Sequence, residues 1–264
     1  MKKIICLVLA VCLTACLFAG CGKNDDKTAP DASEAQKTAE VIKFGTNAEF
    51  PPFEFVAANG VIDEFDGIDI CIAKEIAEQN GATAKIENME FDSLLVALQN
   101  KQIDAVIAGM TASDERKESV NFSTPYYKAT QVMIVKEDST IAKAADMADK
   151  KIVVIQGYTG ETCVKKMGYN YESFKKGTEA VMELVNGKCD VVVIDSATAS
   201  KYVKDNPGLK IVEDAEAFET EEYAVAVNKD NTELLEKINK AIDKLLADGK
   251  VNEYAAKYAE ATEE

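Results

Sequence analysis

Apolar and polar positions follow two periods along this chain. Val41-Ile42-Lys43-Phe44-Gly45-Thr46 is a short β-type run, and DICIAKEIAEQN (69–80) repeats its apolar residues at the spacing of an amphipathic helix. TAKIENME (83–90) reads as a strand. FDSLLVALQNKQ brings Leu94, Leu95 and Leu98 to helical spacing, and DAVIAG is a short buried strand. Midway the pattern restarts: KIVVIQG is a strand, GETCVKKMG opens a helix, TEAVMELVNGK is helical, and CDVVVIDS is again a strand. Strands separated by helices predict mainly parallel sheets with helices on their faces.

The two halves resemble each other. LVALQNKQIDAVIAGMTAS and MELVNGKCDVVVIDSATAS each carry a helix ending in Asn (Asn100, Asn186), then an Asp (Asp104, Asp190), four apolar residues and a hydroxyl-rich turn. Two copies indicate two similar α/β lobes rather than a solenoid. KATQVMIV (128–135) has no Gly or Pro and is expected to cross between the lobes as a strand. EEYAVAVNK (221–229) is a second extended run, followed by a long helical tail, ELLEKINKAIDKLLADGKVNEYAAKYA. If that tail returns to the first lobe, residues 41–128 plus 225–264 make lobe 1 and residues 129–224 make lobe 2. Two crossing segments then form a hinge beside a cleft.

Composition narrows the function. The 46 acidic and 30 basic residues leave a net charge of −16, which repels nucleic acid and anionic membrane surfaces. There is no histidine, no CxxC pair and therefore no ordinary transition-metal site; Ser-His and Cys-His nucleophiles are also absent. No cofactor is expected. The first residues, a short basic head and the apolar run IICLVLAVCLTACLFAG, are too short for a comfortable membrane span. Ending in Ala19-Gly20-Cys21, they resemble a bacterial lipoprotein signal, with residues 1–20 removed and Cys21 lipidated. Leu13-Thr14-Ala15-Cys16 offers a rival site, but cleavage there would leave Leu17-Phe18-Ala19 on the mature end. Residues 21–40 have no aromatic or β-branched run and read as a flexible tether. Cys71, Cys163 and Cys189 remain, an odd number without close pairs, so no disulfide framework is expected.

Open α/β sheets bind ligands beyond the carboxyl ends of their strands. That rule selects GTNAEFPPFEF, GMTASDER, QGYTGE and DSATAS. In GMTASDER, Arg116 is either a solvated surface charge or a planar donor suited to carboxylate. Thr159 in QGYTGE is either a simple helix cap or part of an anion-binding N-terminus. Asp195, after four apolar residues, either caps the next helix or meets a cation. Phe50, Phe53, Phe55 and Phe91 are core candidates, of which one or two can wall a ligand side chain. One arginine, one aspartate and two helix starts around a cleft would match the carboxylate and ammonium of a free amino acid.

GIDICIAKEIAEQN (67–80), with GTNAEFPPFEF, MEFDSLLVALQNKQIDAVIAGMTASDERKESVNFSTPYY and VVIQGYTGE, is similar to the solute-binding protein family 3, the amino-acid-binding components of ABC importers. Cys71 stands where that signature normally has an acid. The resemblance implies a two-lobed periplasmic-binding-protein-like fold, each lobe a mainly parallel sheet with flanking helices, joined by two hinge segments. It implies a monomeric, non-enzymatic, lipid-anchored receptor that closes on a polar L-amino acid and delivers it to an ABC permease outside the cytoplasm. It assigns Arg116 and the N–H groups of Thr111 and Thr159 to the α-carboxylate. Asp195, the Gly109 carbonyl and the Thr111 hydroxyl take the α-ammonium, and Phe50 and Phe91 sandwich the side chain. Ala108 and Gln156 complete the expected lining. Asn47 replaces the acid often found in binders of basic amino acids, which points to a neutral polar ligand, although Glu49 keeps a cationic one open; Tyr158 narrows the pocket. Two alternatives are a dehydratase-like cleft enzyme, with Glu49 or Glu161 as its acid, and a sensory lipoprotein binding the same ligand.

Overall fold

The computed structural model describes residues 40–260; the expected signal peptide, most of the tether and Cys21 lie outside the described residues. Two five-membered strand paths dominate. In the first the order is Ala82–Asn88, Glu40–Thr46, Ala105–Val106, Ala226–Asn228, Val120–Phe122. In the second it is Tyr171–Phe174, Ile152–Ile155, Val191–Asp195, Tyr127–Lys136, Leu209–Val212. Each path runs through two parallel pairings and then two antiparallel ones, in the same order. The sheets are thus mixed rather than mainly parallel. Alternation of strands and helices announces only the βαβ members; the antiparallel members are crossing or returning segments whose pairing is decided in three dimensions.

The apolar runs IVVI and VVVI are buried at every position, because helices cover both faces of the second sheet. Phe44, Ile68, Ile70, Ile72, Ile76, Leu94 and Leu98 fill the first lobe at negligible exposure. Met133, Val135, Met147, Ile152, Val154, Val191, Val193 and Phe218 form a separate cluster in the second. The helix Ile68–Gln79 follows the expected stretch closely. FDSLLVALQNKQ is shorter than its periodicity suggests: a 3-10 turn, Phe91–Ser93, leads into Leu94–Gln99, and Lys101 then takes a left-handed backbone.

Two apparently continuous segments are broken. EEYAVAVNK divides into Thr220–Tyr223, paired with Tyr127–Lys136, and Ala226–Asn228, which enters the first sheet. Between them the Ala224 N–H donates to the Met110 carbonyl and the Val225 N–H to Ser123 Oγ, so the chain changes sheets without orphaning its donors. The long tail splits at Gly249 (φ 71°) into Thr232–Ala247 and Lys250–Glu260. The helix expected after Asp195 is Ser196–Asp205, whereas the small antiparallel sheet Glu49–Phe50, Glu54–Val56, Phe65–Asp66 has no counterpart in the periodicity.

Candidate functional site

Each of the four selected strand ends contributes to one small cavity, lined by Phe50, Phe91, Ala108, Gly109, Thr111, Arg116, Tyr158, Thr159 and Asp195. Three other expected residues stand outside that lining. Asn47 is buried one hydrogen bond behind it, accepting from the Tyr158 hydroxyl (3.2 Å) and donating to the Met89 carbonyl (3.0 Å). Glu49 faces a neighbouring groove, where its carboxylate meets Lys176 Nζ at 2.8 Å. Gln156 is exposed and donates to Asp92 Oδ2 (2.8 Å) across the cleft.

Local chemistry explains the orientation of Arg116. Ser113 caps the short helix Asp114–Lys117, accepting from the Arg116 N–H, and so directs this turn toward the cleft. Its guanidinium donates to the Thr111 carbonyl (2.9 Å) and to the Gly157 carbonyl of the other lobe (3.0 Å), and lies 5.2 Å from the centre of the Phe91 ring. Two carbonyls and an aromatic face hold the fork in place before any anion arrives. Burial works against its charge, while the carboxylates of Glu221 and Asp195 favour it.

Asp195 stands at the N-cap of Ser196–Asp205 but makes no capping bond with its side chain. It instead accepts from the Tyr223 hydroxyl and is almost fully buried. Burial, with the negative charge of Glu221 second, pushes its carboxyl up to about 7. A cation against it would restore the charged form. Thr159 is likewise not a cap: it is the first residue of the helix Thr159–Lys166, which follows Tyr158 without a side-chain cap.

The aromatic wall consists of three rings. Tyr158 stands edge-on to Phe50 (centroids 5.3 Å apart) and tilted against Phe91 (4.5 Å). Gly109 is required beneath it: its φ is +51°, and a Cβ there would lie 2.5 Å from the Phe50 ring.

Two groups of residues at the site escape the sequence reading. Asp69, buried in the first turn of Ile68–Gln79, accepts from the Gly109 N–H (2.7 Å) and the Tyr126 hydroxyl (2.8 Å). Burial pushes its carboxyl up to about 7, and that of neighbouring Glu54, also fully buried, well above the usual range. Glu221 accepts at one oxygen from both the Thr111 and Thr159 hydroxyls, each at 2.7 Å. A signal existed for Glu221: in a strand it shares a face with Tyr223, and Tyr223 is buried.

Residues 42–261 match the family model described as bacterial extracellular solute-binding proteins, family 3. Over 264 residues the chain is 32% identical to the arginine-binding extracellular protein ArtP of Bacillus subtilis (strain 168), covering 98% of each chain. Among solved structures it resembles the arginine-, lysine-, histidine-binding protein ArtJ from Geobacillus stearothermophilus, with TM-score 0.77 and 35% identity, over 83% of this chain and 95% of that one. It also resembles an ancestral arginine-binding protein bound to glutamine, with TM-score 0.76 and 43% identity, over 83% and 97%. With its two lobes, its cleft and a match over nearly the whole described chain, this protein belongs to the family 3 bacterial extracellular solute-binding proteins.

Proposed function

We propose that this protein captures a free polar L-amino acid outside the cytoplasm, by closure of its two lobes, and passes it to an ABC permease. The observation that carries this reading is the pairing, in one small cavity, of an Arg116 fork held by two carbonyls with a buried carboxylate, Asp195. An α-carboxylate fits the first, together with the N–H groups of Thr111 and Thr159. An α-ammonium fits the second, with the Gly109 carbonyl and the Thr111 hydroxyl. Closure brings these groups into use together, so the ligand binds the shut form in preference to the open one.

Phe50, Phe91 and Tyr158 then face the side chain. Asn47 in place of an acid, and Glu49 neutralised by Lys176, favour a neutral polar ligand of the glutamine type over a cationic one. Relatives named for arginine, and one solved with glutamine, are consistent with a scaffold that admits both classes. Both acids considered for a dehydratase-like reaction are engaged elsewhere, which favours a receptor: Glu49 pairs with Lys176, and Glu161 accepts from the Gly157 N–H (2.7 Å) and Ser173 Oγ (2.6 Å). Cys21 is the proposed lipid anchor, and the protein is proposed to act as a monomer.

A thermal-shift screen of the twenty amino acids tests the reading, since a ligand raises stability according to its concentration over its Kd. A neutral polar amino acid is expected to stabilise the protein most. Arg116→Ala should then weaken that ligand at least about a hundredfold, because hydrogen bonds to charged groups are worth about 1.5–3 kcal/mol each. Wild-type affinity in Arg116→Ala, measured by calorimetry, would remove the carboxylate assignment.

A further inference from the structure

The role of Glu221 goes beyond the family's expected ligand contacts. It sits on the crossing strand Thr220–Tyr223, in register with Ala129 of Tyr127–Lys136. From there one carboxylate oxygen receives the Thr111 hydroxyl of the first lobe and the Thr159 hydroxyl of the second. Two oxygens each 2.7 Å from a third can be no farther apart than about twice that distance. The cleft therefore cannot open at this point without breaking at least one charge-assisted bond.

The second consequence concerns direction. A hydroxyl has one hydrogen and two lone pairs. Once its hydrogen goes to a carboxylate, it can only accept. Thr159 Oγ1 already accepts from Gln131 Nε2 (2.9 Å), so its capacity is largely taken. Thr111 Oγ1 keeps lone pairs on the cavity wall that Asp195 and Gly109 also line. An ammonium has three donors and no acceptor. A hydroxyl left free to rotate would present its hydrogen part of the time; one tied to Glu221 does not.

The geometry points to Glu221 as a positioning residue that latches the two lobes together and fixes the Thr111 hydroxyl as an acceptor for the ligand's ammonium. The ammonium half of this rests on the amino-acid reading above; the latch half does not. Glu221→Gln is the informative variant because it keeps the shape but removes the charge, and its amide can donate to Thr111 and turn the hydroxyl round.

The test measures association and dissociation rates of the amino acid found in the screen, and the affinity of its deaminated analogue, on the full chain. For Glu221→Gln we expect dissociation at least about tenfold faster, association within about threefold, and about a tenfold loss of preference for the amino acid over its analogue. Thr159→Val removes the second-lobe hydroxyl of the latch, along with the acceptor of Gln131 Nε2, but leaves Thr111 bonded to Glu221; it should also speed dissociation while leaving that preference intact. Wild-type dissociation and preference in Glu221→Gln overturn the proposal. Should Glu221→Gln fail to fold, Glu221→Asp, which keeps the charge but shortens the reach, must show the faster dissociation, and wild-type rates in it overturn the latch. If the wild type binds no amino acid, the reading above fails. The latch is then judged from a spin-label pair, one label on each lobe, without ligand. A wider separation in Glu221→Gln supports it, and an unchanged one overturns it.

Discussion

Gly109 shows how one missing methyl group shapes the cavity. Its backbone lies in the left-handed region, its N–H is held by Asp69, and the Phe50 ring occupies the space a side chain would need. An L-residue there pays about 1–2 kcal/mol in conformation alone, and the ring must also move. Gly109→Ala is therefore expected to lower unfolding stability by about 2 kcal/mol in a urea titration. Because the displaced ring walls the cavity, ligand affinity should fall at least about tenfold. Unchanged affinity would mean that Phe50 does not touch the ligand. The sequence marks this glycine only as the end of a buried strand; its φ and the ring above it belong to the folded chain.

At the scale of an element, the helix Ile68–Gln79 carries an acid that most helices would expose. Asp69 and nearby Glu54 are both fully buried, and no cation is among the groups that set their protonation. Their carboxyls titrate higher in the folded protein than in the unfolded chain, where Asp and Glu lose protons near pH 4. The folded state thus holds more protons than the unfolded state above about pH 4. Stability is fullest below that value and falls as pH rises toward about 7, where the Asp69 carboxyl loses its proton. Asp195 adds to the same fall. Urea unfolding of the ligand-free protein at several pH values between 4.5 and 7.5 should show this decline. Asp69→Asn should reduce its slope by up to about 1.4 kcal/mol per pH unit, the share of one proton. An identical slope in the variant would place the protonation elsewhere. The apolar spacing of this helix is visible in its sequence, but the burial of its first-turn acid depends on Gly109 and Tyr126 arriving from distant segments.

Across the whole molecule, the cleft is held by contacts between lobes: Arg116 with Gly157, Gln156 with Asp92, Tyr158 with Asn47, and Lys176 with Glu49. The last is partly exposed, so it contributes no more than about 1 kcal/mol to closure. Its effect on selectivity is the more useful prediction. Lys176→Gln leaves Glu49 without its counter-charge beside the aromatic end of the cleft. The ratio of arginine to glutamine affinity is expected to rise a few-fold, and the rise should shrink at high salt as the exposed charge is screened. Competition calorimetry at two salt concentrations measures both. No change in the ratio would mean that Glu49 does not sense the ligand's side chain.

What the sequence determined by itself was whatever depends on near neighbours and on composition. The βα alternation, the paired LVALQNKQIDAVIAG and MELVNGKCDVVVID segments, the absence of histidine and the chemistry of four strand ends all follow from residues close together in the chain. These suffice for two α/β lobes and for Arg116 and Asp195 as candidates. Tertiary structure decided what depends on pairing between distant segments. It split EEYAVAVNK between two sheets, because the first half pairs with the crossing strand Tyr127–Lys136 and the second with Ala105–Val106 of the first sheet. It turned Asp195 away from capping and toward Tyr223, and tied Glu49 to Lys176 instead of the cavity. It also brought Glu221 between two threonines that lie 48 residues apart, one from each lobe. Side-chain period and residue type are local properties of a chain; which buried acid meets which donor is settled only when the lobes close.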